Sequence, residues 1–128
     1  MLLDTSAFVA IFVSSENSDT YINIKSVTED EEIYFSEVQL AEIADWAVRN
    51  SVDPAERINL VKGIARLLPL SEVICLNAAR IKSDRRRNGA SDFGIIDGII
   101  LASARAIGHR VITLDKHFSG EPDCFVIN

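Results

Sequence analysis

Short apolar runs, separated by longer segments with helical spacing, dominate the pattern of hydrophobic positions along the chain. The runs are rich in Leu, Ile, Val and Phe and are too short for helices, as is typical of buried strands. They predict five strands, over residues 1–4, 33–35, 70–73, 110–114 and 123–127.

Between these runs, apolar residues recur at intervals of three and four, as on the buried face of a helix. One such segment opens at Ser36. Another opens at Asp53-Pro54, because Asp favours the helix cap and Pro suits the first helical position, and Pro69 ends it. Helices are predicted over residues 7–13, 17–28, 36–48, 54–68, 76–87 and 93–107.

Strands that alternate with helices indicate an α/β fold with a mostly parallel central sheet flanked by helices. The 128 residues fit one domain, and a hydrophobic content of 48% is enough for a sizeable core. No repeat, linker or low-complexity segment divides the sequence. We therefore predict a single α/β domain over residues 1–128.

The net charge of −6 excludes binding of nucleic acid by the surface charge as a whole. A nucleic acid would need a local basic patch, or metal ions that offset an acidic site. The one dense basic run is Arg85-Arg86-Arg87. It is compatible with a solvated helix end, where cations suit the helix dipole, and with a patch that steers RNA phosphates.

The two cysteines, Cys75 and Cys124, lie far apart and belong to no Cys/His cluster, which excludes a zinc site of the usual spacing. Both stand beside apolar residues, so we expect buried free thiols and a reducing, cytoplasmic location. No apolar run approaches the roughly 20 residues of a membrane span.

Two aspartates directly follow predicted strands. Asp4 follows Met-Leu-Leu, and Asp115 follows Val-Ile-Thr-Leu. In parallel sheets the carboxyl ends of the strands share one edge, where active sites collect, so both side chains belong at that edge. Each could also simply cap the helix or turn that follows it.

Two more carboxylates occur within apolar helical segments. Asp97 stands between Ile-Ile and Gly-Ile-Ile, and a buried carboxylate without a partner costs several kcal/mol. It therefore needs a cation, or an arginine from elsewhere such as Arg105 or Arg110. Glu42 has similar neighbours, although a solvated glutamate fits equally well. Asp92 precedes the Asp97 helix and is a supporting candidate at most.

Taken together, these carboxylates predict a metal site. Several carboxylates without a basic residue repel one another, and hard cations relieve that repulsion. Oxygen ligands favour Mg²⁺ or Mn²⁺. Such ions activate water and offset the charge that develops when a phosphodiester is cleaved. The sequence leaves open whether one or two ions bind.

Four segments resemble the motifs of the PIN-domain family and, within it, the VapC-like toxins of type II toxin–antitoxin systems. The resemblance spans nearly the whole chain, and the order and spacing of the segments fit. The segments are residues 3–7, 36–43, 93–104 and 111–118.

The resemblance implies a three-layer α/β fold and a ribonuclease that depends on Mg²⁺ or Mn²⁺. It assigns Asp4, Glu42, Asp97 and Asp115 as metal ligands and catalytic residues. It also implies a homodimer and a small antitoxin protein that covers the site. Ser6 and Thr113 occupy positions whose hydroxyl groups, in similar proteins, help to hold the carboxylates or the ion.

Other α/β proteins also use an aspartate at a strand end. A dehalogenase-type phosphatase needs a second Asp two residues after the first, where this chain has Ser6. A receiver domain needs a late lysine, for which Lys116 is poorly placed. Within the resembled family, an RNA-processing nuclease that is not a toxin and a non-catalytic interaction module both stay open.

Overall fold

The computed structural model describes residues 1–127, in which six α-helices and five strands are assigned. The strands are β1 (Leu2–Leu3), β2 (Tyr34–Ser36), β3 (Arg66–Leu68), β4 (Val111–Thr113) and β5 (Cys124–Val126). The helices are α1 (Thr5–Val13), α2 (Asp19–Thr28), α3 (Gln39–Arg49), α4 (Pro54–Ile64), α5 (Glu72–Arg87) and α6 (Ile95–Ala106). A single 3₁₀ turn, Lys116–Phe118, follows β4.

The five strands form one parallel sheet in the order β3-β2-β1-β4-β5. The chain builds outward from β1 to β3, and then returns to place β4 on the other side of β1. The order therefore reverses between β1 and β4. In open α/β sheets the crevice at such a reversal, outside the carboxyl ends of the strands, is where ligands bind.

Adjacent residues of the central strands point to opposite faces of the sheet, as the pleat requires. Leu3 and Ile112 pack on one face with buried side chains of α1 to α4, including Phe8. Leu2 and Val111 pack on the other face with α6 and its flanking segments, including Phe93. These two cores confirm the predicted fold class, a three-layer α/β domain with a central parallel sheet.

Two adjacent predictions were wrong. The helix predicted to extend to Leu68 ends at Ile64, and residues 66–68 instead pair with β2 in register Tyr34↔Arg66. The strand predicted over residues 70–73 is absent, because the Ser71 side chain accepts the N–H of Ile74 and caps α5. The short apolar run here fits both the helical period and the alternation of a strand, so spacing alone did not distinguish a helix from a strand.

Three smaller predictions also need correction. Ser36 closes β2 instead of opening a helix, and its N–H donates to the Gln39 side chain at 2.7 Å. Phe93 lies before α6, whose N-cap is Gly94. Cys75 is exposed, not buried. Within residues 1–127, none of the helices is long and apolar enough to span a membrane.

Helices α5 and α6 approach each other closely at Gly98, where a Cβ atom would lie 2.6 Å from the carbonyl oxygen of Ala78. The neighbouring atom belongs to the backbone and cannot turn away as a flexible side chain could. Glycine at this position therefore allows the two helices to pack, and it directly follows Asp97 in the sequence.

We expect Gly98→Ala to lower the free energy of unfolding by about 1–3 kcal/mol, the usual cost of overpacking. That loss would exceed the gain in helix propensity of about 1 kcal/mol. Gly63→Ala is the matched control, since nothing lies within 4 Å of a Cβ at that helical glycine. Urea denaturation of both variants measures the difference, and equal stability of the two would contradict the close approach.

Candidate active site

Asp4 lies at the reversal point of the sheet and is 7% exposed. Its Oδ2 accepts a hydrogen bond from the Thr113 hydroxyl at 2.6 Å, because the parallel register of β1 and β4 places these two residues side by side. Its Oδ1 accepts from the Ser6 hydroxyl and from the N–H of Ala7. Asp4 is thus the N-cap of α1 and also a buried carboxylate at the carboxyl edge of the sheet.

The hydroxyl groups of Ser6 and Thr113 join the exits of the two central strands. Ser6 Oγ accepts the N–H of Leu114 at 2.9 Å, and Thr113 Oγ1 accepts the N–H of Asp115 at 2.9 Å. The two hydroxyl oxygens lie 3.2 Å apart. The structure therefore places both predicted supporting residues against Asp4 and beside Asp115.

Glu42 lies in the first turn of α3 and is half-buried, and its Oε1 accepts the Thr5 hydroxyl at 2.7 Å. Gln39, fully buried one turn earlier, donates to the carbonyl of Leu3 at 2.8 Å. Sequence reasoning missed both Thr5 and Gln39. Their signals were the position of Thr5 directly after Asp4 and the three-residue spacing from Gln39 to Glu42, which shares one helix face.

Asp97 and Asp115 face each other across the carboxyl edge. Asp97 lies in the first turn of α6, and its Oδ2 accepts the N–H of Gly94 at 2.9 Å. Asp115 caps the 3₁₀ turn, and its Oδ1 accepts the N–H of His117 at 2.9 Å. One ligand atom each from Asp97, Asp115 and His117 lies within 4.8 Å of the others, a spacing that could hold a metal ion.

Burial and the repulsion of neighbouring carboxylates raise the pKa values of Asp4, Glu42 and Asp97. Burial is the largest cause for Asp4, whose pKa rises to about 6 although three hydrogen bonds oppose the rise. Burial likewise raises the pKa of Glu42 and of Asp97, and the charge of Asp115 adds to both shifts. The charged state of this cluster is therefore disfavoured without a cation.

Among residues 1–127, neither a lysine nor an arginine side chain supplies that cation. Within residues 1–127, no lysine or arginine nitrogen lies within 4.0 Å of a carboxylate oxygen of Asp4, Glu42, Asp97 or Asp115. Arg105, considered as a partner of Asp97, pairs instead with Glu121 and Asp123. Oxygen donors with one imidazole fit a divalent metal ion.

The basic run beside the site is mostly engaged in contacts within the chain. Arg85 is only 18% exposed and donates to the carbonyls of His117 and Ser119. Arg86 donates to the carbonyl of Phe93 at 2.8 Å. Arg86 and Arg87 are both exposed, and the Arg87 side chain is 75% exposed. Arg85 and Arg86 thus hold the segments that lead to Asp97 and follow Asp115.

Asp92, the supporting candidate, is exposed and does not join the carboxylate cluster. It lines a shallow groove beside the site, together with Lys116 and His117. Its position before α6 does not make it the helix cap, because Gly94 has that place.

A family model described as the PIN domain matches residues 1–120. No curated protein matches the chain. Three similar solved structures each cover at least 96% of both chains. A toxin–antitoxin complex from Klebsiella pneumoniae matches with a TM-score of 0.74 at 18% identity. VapBC2 from Rickettsia felis, bound to a promoter DNA fragment, matches with 0.73 at 18%. FitAcB from Neisseria gonorrhoeae matches with 0.71 at 23%. At these identities the likeness is one of fold.

Because the pKa of Asp4 is raised in the folded protein, the free energy of unfolding is expected to depend on pH. Its native pKa of about 6 exceeds the ordinary value of 3.8, so the native state holds the extra proton between these pH values. This contribution to stability is present at low pH and is lost as the pH rises through that window. Above pH 7 the ionised carboxyl destabilises the metal-free fold by about 2–3 kcal/mol.

We therefore expect Asp4→Asn to be more stable than the wild type at pH 7.5 by about that amount, and nearly equal to it at pH 4. Asparagine keeps an oxygen acceptor for Ala7 and Ser6, and its amide can donate to the Thr113 hydroxyl. Urea denaturation in excess chelator, repeated across this pH range, measures the difference. A difference that does not change with pH would contradict the burial of an ionised Asp4.

Proposed function

This chain belongs to the PIN domain family, and on that premise we propose that it is a ribonuclease dependent on Mg²⁺ or Mn²⁺, the toxin of a toxin–antitoxin pair. The observation that carries the proposal is the cluster of Asp4, Glu42, Asp97 and Asp115 at the sheet reversal, within 4.0 Å of which no lysine or arginine nitrogen lies among residues 1–127. The family match agrees with the family predicted from the four sequence motifs.

The four carboxylates fit a divalent ion, and each would contribute to binding it in a different way. Asp97 and Asp115 present carboxylate oxygens that are close together and each half-buried. Glu42 lies near enough for the charges of both to raise its pKa. Asp4 is already held by three hydrogen bonds and contributes a fixed negative charge or a remaining oxygen lone pair.

The hydroxyl and amide groups around the cluster keep these oxygens in place. Thr5 holds Glu42, Thr113 and Ser6 hold Asp4, and the N–H of Gly94 holds Asp97. When bound, the divalent ion supplies a Lewis acid that activates water and offsets charge on the phosphate oxygens. Preorganised carboxylates are what that chemistry requires of the protein.

The strand order decides against a receiver domain. Receivers have the order 2-1-3-4-5, whereas this sheet has the order 3-2-1-4-5. A dehalogenase-type phosphatase would still need an aspartate at the position of Ser6, and here Ser6 uses its hydroxyl to hold Asp4. Hydrolysis of RNA by a metal-dependent site therefore has the better support.

The proposed partners are RNA and a small antitoxin. The similar structure from Klebsiella pneumoniae is described as a toxin–antitoxin complex, which supports a toxin that a partner protein neutralises. RNA would approach along the groove beside His117, where Lys116 is exposed and Arg87 stands at the end of α5. Lys116 and Arg87 would attract the RNA phosphates locally, although the chain as a whole carries a net negative charge.

To test the activity, the metal-stripped protein would be incubated with labelled single-stranded RNA, with and without Mg²⁺ or Mn²⁺. We expect cleavage only with metal, and a loss of about 100-fold or more in Asp97→Asn, because a ligand charge is removed at nearly constant shape. Asp45→Asn is the matched control, since Asp45 is exposed and pairs with Arg49 at the surface.

Equal cleavage by Asp97→Asn and the wild type would overturn the site assignment. A wild type that binds neither ion in calorimetry would favour the non-catalytic interaction module. Growth arrest on expression of the wild type, relieved by Asp97→Asn, would support a toxin over an RNA-processing nuclease that cells tolerate.

We also propose a homodimer that uses an apolar surface around the start of α5. Four exposed apolar side chains occur within ten residues there, Leu67 on the edge strand β3, then Leu70, Val73 and Leu76. Val73 is 63% exposed and Leu76 is 52% exposed, and their three-residue spacing puts them on one helix face. Such a concentration of exposed apolar side chains is typical of interaction surfaces.

The double variant Val73→Glu/Leu76→Glu is expected to be monomeric, whereas Val48→Glu stays dimeric. Val48 is a matched control because it is equally exposed, at 66%, on a different helix. Light scattering at tens of micromolar protein measures the mass. A monomeric wild type, or a dimer that survives the double substitution, would contradict this surface.

A further inference from the structure

We propose that His117 is a metal ligand, whose Nδ1 joins one carboxylate oxygen each of Asp97 and Asp115 to form a site that prefers a divalent transition-metal ion, such as Mn²⁺, over Mg²⁺. The inference rests on the proposed function and narrows its cofactor.

The first support is distance. His117 Nδ1 lies 3.3 Å from Asp115 Oδ1 and 3.7 Å from Asp97 Oδ2. Neighbouring ligands of an octahedral ion, each about 2.1 Å from it, lie about 3 Å apart. The two distances from His117 Nδ1 exceed that spacing by about 0.3 and 0.7 Å, and one ligand atom from each of the three residues lies within 4.8 Å of the others.

The second support is the number of lone pairs still available. Asp115 Oδ1 accepts the N–H of His117, and Asp97 Oδ2 accepts the N–H of Gly94. Each carboxylate oxygen has two lone pairs, so each keeps one for a cation. The oxygens of Asp4, by contrast, share three hydrogen bonds in a buried position.

The third support is the way the His117 backbone is fixed. Its N–H donates to Asp115, and its carbonyl accepts from Arg85 Nη2 at 2.6 Å. Phe118, the next residue, is fully buried and packs edge-on against Phe93. Two hydrogen bonds and a buried neighbour thus hold this short turn, so the imidazole is presented to the carboxylates at little conformational cost.

The side chain is also open enough to leave room for substrate. The His117 side chain is 42% exposed, against 21% for Asp97 and 33% for Asp115. A divalent ion held by these three side chains would have further positions for water or a phosphate oxygen.

An imidazole ligand changes which ion the site prefers. Mg²⁺ favours oxygen donors and retains its water, whereas imidazole nitrogen suits transition-metal ions. A set of two carboxylates and one imidazole therefore raises the affinity for Mn²⁺ relative to Mg²⁺. A histidine that only hydrogen-bonds to the aspartates would leave that ratio unchanged.

The experiment compares wild type, His117→Ala and His109→Ala, each first shown to be folded by thermal melting in chelator. His109 is the matched control, since its ring lies beside Tyr34 and the amino terminus, away from the carboxylates. Titration calorimetry gives the affinities for Mn²⁺ and for Mg²⁺. Pulsed electron paramagnetic resonance of the Mn²⁺ complex reports a directly bound nitrogen through its ¹⁴N coupling.

We expect the wild type and His109→Ala to bind Mn²⁺ at least about 10-fold more tightly than Mg²⁺ and to show the nitrogen coupling. In His117→Ala the coupling disappears and the affinity for Mn²⁺ falls by about 10-fold or more, with little change for Mg²⁺. Mn²⁺ bound to the wild type without nitrogen coupling, or bound equally well by His117→Ala, would overturn the inference.

These outcomes separate the two proposals. A wild type that binds Mn²⁺ and Mg²⁺ equally, through Asp97 and without nitrogen coupling, contradicts the role of His117 and leaves the ribonuclease proposal standing. A wild type that binds neither ion contradicts both.

Discussion

The parallel pairing of β1 with β4 determines where every other part of the site can lie. These strands are adjacent although more than a hundred residues separate them, and the register that pairs Leu3 with Ile112 also sets Asp4 beside Thr113. The sheet order reverses at this pair, so helices from both flanking layers open onto the same crevice. A shift of one residue in the register would turn Asp4 to the other face of the sheet.

The electrostatic cost of this arrangement explains its many hydrogen bonds. Four carboxylates share the edge, and burial opposes the ionisation of three of them. Hydroxyl groups and backbone N–H groups lower that cost without neutralising the charge, which is retained for a cation. Arginines that could have neutralised it are used elsewhere. Arg105 pairs with Glu121 and Asp123, and Arg85 holds the turn after Asp115.

The sequence pattern singled out the four carboxylates of the candidate site, which the structure places at one edge of the sheet; their roles stay a prediction. Asp4 and Asp115 directly follow apolar strands, and Asp97 interrupts an apolar helix. Spacing could not reveal the partners that depend on tertiary contacts, such as Gln39 reaching the Leu3 carbonyl or Arg85 reaching that of His117. The sequence pattern also gave wrong predictions over residues 66–73. The three-residue strand β3 there is stabilised by its pairing with β2, and its own sequence shows no strand pattern.

The origin of the site in two layers has a consequence for local unfolding. Glu42 belongs to a helix packed on one face of the sheet, and Asp97 belongs to a helix packed on the other. A cation held by both would bind only while both layers are docked, so its binding free energy would add to the free energy of opening either one. The close contact at Gly98 packs α5, which carries Arg85, against α6, which carries Asp97. We therefore expect these two helices to open together, so that their amide hydrogens exchange with solvent as one unit.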